Sequence, residues 1–172
     1  MSGVSIRRAK TQDVRRIIEL IDPLVQERVL LGKDPVIFYE AVQEFRVAED
    51  ADGNLIGCGA LHVMWEDLGE IRTIAVSKKW RGTGVGHLLL EHLVQDALEL
   101  GLSRLFCLTF EVDFFARQGF ESIDKILLKP SVEKQLLRSP DEGVAEFLEL
   151  ERVKPNTLGN TRMLLHLDDR KA

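Results

Sequence analysis

Three glycines alternate with other residues in Arg81-Gly-Thr-Gly-Val-Gly86, and Lys78 and Lys79 precede them by a few positions. Such a segment can bend sharply and leave several backbone N–H groups facing outward without side-chain obstruction. At the start of a helix those donors have the positive end of the helix dipole behind them, an arrangement suited to an anionic phosphate. Lys78, Lys79 and Arg81 add charge of the right sign. Two common phosphate loops fail on spacing. A Walker loop closes on Gly-Lys-Ser/Thr, whereas Gly86 is followed by His87 and Leu88, and a dinucleotide fingerprint needs its third glycine where His87 stands. The other reading is a glycine-rich connection that holds no ligand. Metal chemistry is not expected. His87 and His92 are five apart rather than the four of a zinc helix motif, and His62 and His166 are isolated. Trp80 reads as a packing residue rather than an adenine stacker.

The pattern Arg81-x-x-Gly84-x-Gly86 after a strand ending Ile74-Ala75-Val76 resembles motif A of the GNAT N-acetyltransferases. That resemblance implies that Arg81, Gly82, Thr83, Gly84, Val85 and Gly86 hold the pyrophosphate of acetyl-CoA. It also implies that the edge at Ile74, Ala75 and Val76 pairs with the pantetheine arm. Acetyl transfer from a thioester to an amine needs a neutral amine, a polarised carbonyl and a proton for the departing thiolate, and no covalent nucleophile. Glu70, at the start of the motif strand, is the candidate base, acting directly or through one water. Its other reading is an ion pair with Arg72, two residues on. Backbone N–H groups near Thr73 to Val76 are candidates to polarise the thioester oxygen. Many such enzymes place the proton-donating tyrosine in a Tyr-x-x-x-Gly-Phe context, but this chain reads Phe114-Phe115-Ala-Arg-Gln-Gly119-Phe120. Its single tyrosine, Tyr39, lies in an early helix. Thr109 is the replacement donor, or else a strand residue bonded to backbone.

Gly69-Glu70-Ile71, the run Gly101 to Thr109, and Phe114 to Phe120 narrow the likeness. They resemble the acetyltransferase domain of N-acetylglutamate synthases, over most of Val4 to Ile123. The resemblance implies Glu70 as base and Thr109 as acid. Lys33, in the loop before the second helix, would hold the amino-acid carboxylate. Arg72, a backbone group at Thr73 and the Thr161 hydroxyl complete the acceptor side. Gly159 stands where that family has an arginine, which leaves Arg162, Arg152 or Lys154 as substitutes. The amino-acid-kinase domain of the longer enzymes has no counterpart here, as in a short stand-alone form. The expected reaction is acetyl-CoA-dependent acetylation of the α-amine of L-glutamate or L-glutamine, for arginine biosynthesis. The other readings are a GNAT enzyme for another amine, whether small molecule or protein N-terminus, and a non-catalytic acyl-CoA sensor.

The elements that must position these residues follow from pattern. The chain has 172 residues, 45% hydrophobic and 30% charged, enough for one sizeable core, so a single domain over 1–172 is expected. Its net charge of −5 without a basic block argues against nucleic acid, and no apolar run has transmembrane length. A cytoplasmic protein is expected, without membrane partners, and a homodimer is left open. Cys58 and Cys107 read as two buried thiols rather than a disulfide or metal pair. Val4 to Ala9 reads as a strand. Thr11 then caps a helix that ends near Pro23, and Asp34-Pro35 opens a second helix. Strands at 44–49 and 55–64 flank the Asp52-Gly53-Asn54 turn, and the motif strand Glu70–Val76 follows. A helix over 87–100, stopped by Gly101, leads to a strand Arg104–Phe110, so the two strands about it run parallel. Val112–Gln118 is a short helix and Phe120–Leu128 a strand. Ser131–Leu137 reads as a helical turn, 144–153 as strand or helix, and Thr161–Leu167 as the last strand. The order implies an α/β GNAT fold: a mixed, mostly antiparallel twisted sheet with helices on both faces and a central, splayed parallel strand pair.

Overall fold

Short β-branched and apolar runs separated by Gly- and Asp-containing turns form the strands, and the longer 3.6-periodic runs form the helices between them. The computed structural model describes residues 3–125, 128–150 and 159–168. In chain order the elements are β1 (Ser5–Arg8), α1 (Val14–Gln26), α2 (Pro35–Glu40), β2 (Phe45–Glu49), β3 (Leu55–Trp65), β4 (Leu68–Val76) and α3 (Val85–Glu99). There follow β5 (Arg104–Thr109), α4 (Val112–Ala116), β6 (Glu121–Ser122), α5 (Pro130–Leu136), α6 (Glu142–Phe147) and β7 (Thr161–His166). The sheet order is β1-β2-β3-β4-β5-β7-β6. β4 and β5 run parallel, while β1 with β2, β2 with β3, β5 with β7 and β6 with β7 are antiparallel. This is the mixed α/β GNAT arrangement that the motif order implied. Among the described residues, no helix is long and apolar enough to cross a membrane.

The chain divides into two compact units, Met1–His62 with Ile71–Leu100 and Val63–Glu70 with Gly101–Ala172. In the first unit, alternation sends Phe45 and Val47 of β2 and Cys58 and Ala60 of β3 to one side, where Val14, Ile17 and Ile21 of α1 and Phe38 of α2 cover them. Ala48 and Ile56 face the other side and pack on Val85 and Leu89 of α3. Helix α3 comes this close because β3 offers glycines there. A Cβ on Gly57 would stand 3.0 Å from Leu89 Cδ1, and one on Gly59 3.0 Å from Leu93 Cδ1. Asp96 of α3, nearly buried, accepts Arg46 Nε of β2 at 2.8 Å and also bonds Arg8 of β1. In the second unit, Phe106 of β5, Leu68 of β4, Val132 and Leu136 of α5 and Val144 and Phe147 of α6 form one core. Phe106 and Phe147 meet edge to face with ring centroids 4.9 Å apart.

Several expected boundaries move. Helix α1 runs through Pro23 to Gln26, although a proline removes a ladder donor. Leu24 and Val25 continue the apolar face onto the core, which offsets the lost bond. The helix closes instead at Arg28 (φ 59), with Val29 N–H donating to Leu24 O at 2.8 Å. Its entry is not capped by Thr11. Asp13 takes the cap position, and its carboxylate accepts the Lys10 N–H at 2.8 Å across a 3-10 turn, Thr11–Asp13, that Lys10 itself precedes. Arg7 locks that carboxylate at 2.6 and 3.0 Å while also holding Glu49 at 2.6 Å. Helix α3 begins at Val85, so Gly86 lies in its first turn rather than before it. The expected strand over Phe120–Leu128 pairs with β7 only at Glu121–Ser122, and residues 126 and 127 lie outside the described residues. The segment read as strand or helix from 144 falls in α6 as far as Phe147, and 151–153 lie outside the described residues.

Candidate active site

In the first unit the basic, glycine-rich segment forms a turn that opens a helix. A 3-10 turn at Lys78–Trp80 follows β4, and Gly82 (φ 76) and Gly84 (φ 92) reverse the chain in the left-handed region, where a side chain is disfavoured. Gly84 is the N-cap residue of α3. The Val85 and Gly86 amides therefore lie in the first helical turn, with no carbonyl four residues earlier in the helix to accept them. The turn is braced from below. Arg81 Nε donates to Val76 O at 3.3 Å and Thr83 Oγ1 to Trp80 O at 2.6 Å. A Cβ at Gly82 would meet open space, so the face of the turn is unobstructed. Donors, dipole and cations here can hold a pyrophosphate.

β4 leads into this turn, and it is not a regular strand. Thr73 has φ 59, a conformation that β-branched residues avoid and that costs of order 1–3 kcal/mol. Burial does not alternate along it, since Leu68 to Ile71 are all buried and Arg72 to Ile74 all half-buried. Ala75 packs into the α1–α2 core and Val76 against α3, which leaves the backbone of Thr73 to Val76 as the part able to meet a ligand. Arg72 and Ile74 are half-buried. Lys33 is half-buried in the loop between α1 and α2.

The second unit holds the other expected residues. Glu70, 4% exposed, sits at the last paired position of the parallel ladder, opposite Phe106, and no β4–β5 pairing continues beyond it. Thr109 ends β5 opposite Thr161 of β7, so the two hydroxyl residues share one side of the sheet. Thr109 is 7% exposed, and its Oγ1 accepts the Glu111 N–H at 2.9 Å. That contact fills an oxygen lone pair and leaves the hydroxyl proton to donate, so the backbone-bonded and acid readings of Thr109 are compatible. Burial and the Glu70 charge push the Cys107 thiol up, so it is no nucleophile.

Where tyrosine would stand, Phe114, Phe115 and Phe120 make edge-to-face contacts, with centroids 5.0 and 5.2 Å apart. Tyr39 is in α2 and exposed. Gly159 adopts φ 87, a conformation that an arginine would enter only with strain. The Arg162 substitute is committed elsewhere. It pairs in register with Leu108, on the side away from Thr109, and forms an ion pair with Glu149 at 3.0 Å. Arg152 and Lys154 lie outside the described residues. Among the described residues, no three His, Cys, Asp or Glu side chains converge as a metal site requires. Sequence reasoning missed the Thr73 conformation and its neighbour Cys58. The Gly57-Cys58-Gly59 triplet was the available signal, because small residues there permit close packing.

The sequence model of the Acetyltransferase (GNAT) family matches residues 12–120. An amino-acid acetyltransferase of Mycobacterium tuberculosis is 53% identical over 164 residues, covering 94% of either chain. A crystal structure of a Mycobacterium tuberculosis protein in complex with CoA and NLQ superposes with a TM-score of 0.91 at 53% identity, over 95% of this chain and 99% of that one. N-acetylglutamate synthase from Neisseria gonorrhoeae, complexed with coenzyme A and N-acetyl-glutamate, gives a TM-score of 0.76 at 30% identity. There the match spans 97% of this chain but 36% of the synthase, so it covers only part of the longer enzyme.

Proposed function

Because this chain belongs to the GNAT acetyltransferase family, we propose that it transfers the acetyl group of acetyl-CoA to the α-amine of a free amino acid, L-glutamate or L-glutamine, as a step toward arginine. The cradle Arg81–Gly86 takes the pyrophosphate, and the backbone of Ile74, Ala75 and Val76 takes the pantetheine amides. Amides beside Thr73 polarise the thioester carbonyl. Glu70, directly or through one water, removes a proton from the substrate ammonium to free its lone pair. The amine attacks the thioester carbon, the C–S bond breaks, the Thr109 hydroxyl protonates the departing thiolate, and the extra proton on the new amide nitrogen restores the threonine hydroxyl. The products are the N-acetyl amino acid and coenzyme A. Lys33 holds the α-carboxylate, and Arg72, the Thr73 backbone and Thr161 orient the acceptor.

The observation that carries this reading is the end-to-end likeness, at 53% identity, to an amino-acid acetyltransferase. A buried carboxylate at Glu70 and a proton-bearing hydroxyl at Thr109 supply the base and acid that such a reaction needs. A thiol-release screen of the free amino acids with acetyl-CoA tests it. Glutamate or glutamine should give the highest turnover. Release of thiol with non-amino-acid amines alone would move the assignment to another acceptor.

A further inference from the structure

Cys58 occupies β3 fully buried, among the aliphatic side chains covered by α1 and α2. Its Sγ lies 3.5 Å from the carbonyl oxygen of Thr73, the residue held at φ 59 in β4. Gly57 and Gly59 flank the cysteine. Cβ atoms there would stand 3.2 Å from Ala75 O and 3.1 Å from Ile74 Cγ1, so β3 runs hard against β4 along this stretch. A left-handed residue inside a strand turns its carbonyl and the amides after it out of ladder register, and those groups then need other partners. The sulfhydryl is a weak donor, so the Cys58 side chain can serve the Thr73 carbonyl.

Resting on the acetyltransferase reading above, we propose that Cys58 is a positioning residue. Its S–H holds the Thr73 carbonyl and so fixes the left-handed turn that aims the Thr73 to Ala75 amides at the acetyl thioester. Burial suits the task, because it keeps the proton on sulfur and excludes the water that would otherwise compete for the carbonyl. Cys58 touches no substrate and acts only through the backbone of β4.

Ser and Ala replacements separate this role from simple packing. Cys58→Ser keeps a donor but buries a more polar group, whereas Cys58→Ala removes the donor and leaves a smaller apolar side chain. With positioning, Cys58→Ala lowers kcat about tenfold, the weight of one modest hydrogen bond. The KM for acetyl-CoA changes little, since the phosphate cradle is untouched, and Cys58→Ser recovers most of the lost kcat. With packing alone, kcat in the Ala variant matches wild type, or Ser and Ala fall together, and either result overturns the proposal. Hydrogen–deuterium exchange gives a readout independent of turnover. The Thr73 to Ala75 amides should exchange faster in Cys58→Ala than in wild type or Cys58→Ser, and equal exchange in all three contradicts the proposal. If wild type acetylates no acceptor, the functional reading fails and exchange alone decides the role of Cys58. If neither variant folds, the Raman S–H band of wild type, assigned against Cys107→Ala, still decides. A Cys58 band at the frequency of a free thiol overturns the proposal, and a lowered band supports it.

Discussion

Thr109, the proposed acid, has a hydroxyl that is held without losing its proton. Its oxygen takes the Glu111 amide, which fixes the side chain and eases negative charge onto it, while the proton stays available. Thr109→Val should therefore lower kcat by about 10²-fold with little change in either KM, and Thr109→Ser should stay near wild type. A Val variant as fast as wild type in steady-state assays would take Thr109 out of the mechanism. We propose that Lys33 holds the acceptor. A charge-assisted contact to the α-carboxylate is worth roughly 1.5–3 kcal/mol, so Lys33→Met should raise the amino-acid KM about 10- to 150-fold and erase preference over the α-amide. Equal use of the amide by wild type would contradict that role. Candidates at these positions were readable by type because the proposed chemistry restricts it. Conformation was not. Thr73 is β-branched, so its type argues against φ 59. Gly159 and Arg162 make the same point, since one takes a left-handed backbone and the other pairs with Glu149, and neither follows from its type.

The turn before α3 and the entry to α1 are where local structure carries most weight. The cradle was legible because glycine spacing, cations and the helix that follows all point one way. The start of α3 was not, because glycine is a poor helix former and nothing in the sequence places Gly86 inside the first turn. Gly84→Asp would set a negative charge at the proposed pyrophosphate site, and calorimetry should show coenzyme A affinity falling on the order of 100-fold or more. Gly84→Asn, neutral and tolerant of positive φ, should lose much less. Equal losses would point to backbone strain rather than charge. The α1 entry hides its capping group in the same way. Thr11 looks like a cap, but Asp13 wins because Arg7 reaches it from β1, a partner distant from the helix pattern. Hydrogen bonds from Arg7 hold the Asp13 carboxyl below the usual carboxylate range, and Glu49 is lowered by the same guanidinium. A carboxylate depressed on folding contributes stability that is present above its unfolded pKa and is lost as pH falls through the folded value. Stability should therefore drop below about pH 4. Asp13→Asn should cost about 1–3 kcal/mol at neutral pH and flatten that acid limb in urea titrations. An unchanged limb would remove this cluster as its source.

Across the whole molecule, β3 and β4 each run through both compact units, so the same two strands contribute to both cores. We propose that 1–172 folds as one cooperative domain, and each unit carries one tryptophan that can test this. Trp65 packs on the Phe106 core and Trp80 on the α3 core. Trp65→Phe and Trp80→Phe thus leave single reporters of the two units. Their urea midpoints should coincide, and both should rise with added coenzyme A, whereas separated transitions would mean two independently stable units. The element order was legible because hydrophobic period and turn residues are local. The two-residue length of β6 was not, since its pairing with β7 depends on residues some forty positions away in sequence. Amino-acid acetylation is the claim that joins these scales, and product analysis at saturating acetyl-CoA tests it most directly. Wild type with L-glutamate or L-glutamine should form the N-acetyl amino acid in step with released thiol. Glu70→Gln should lower that kcat on the order of 100-fold or more with the acetyl-CoA KM unchanged. Thiol release without an acetylated amino acid, or a Gln variant as fast as wild type, would contradict it.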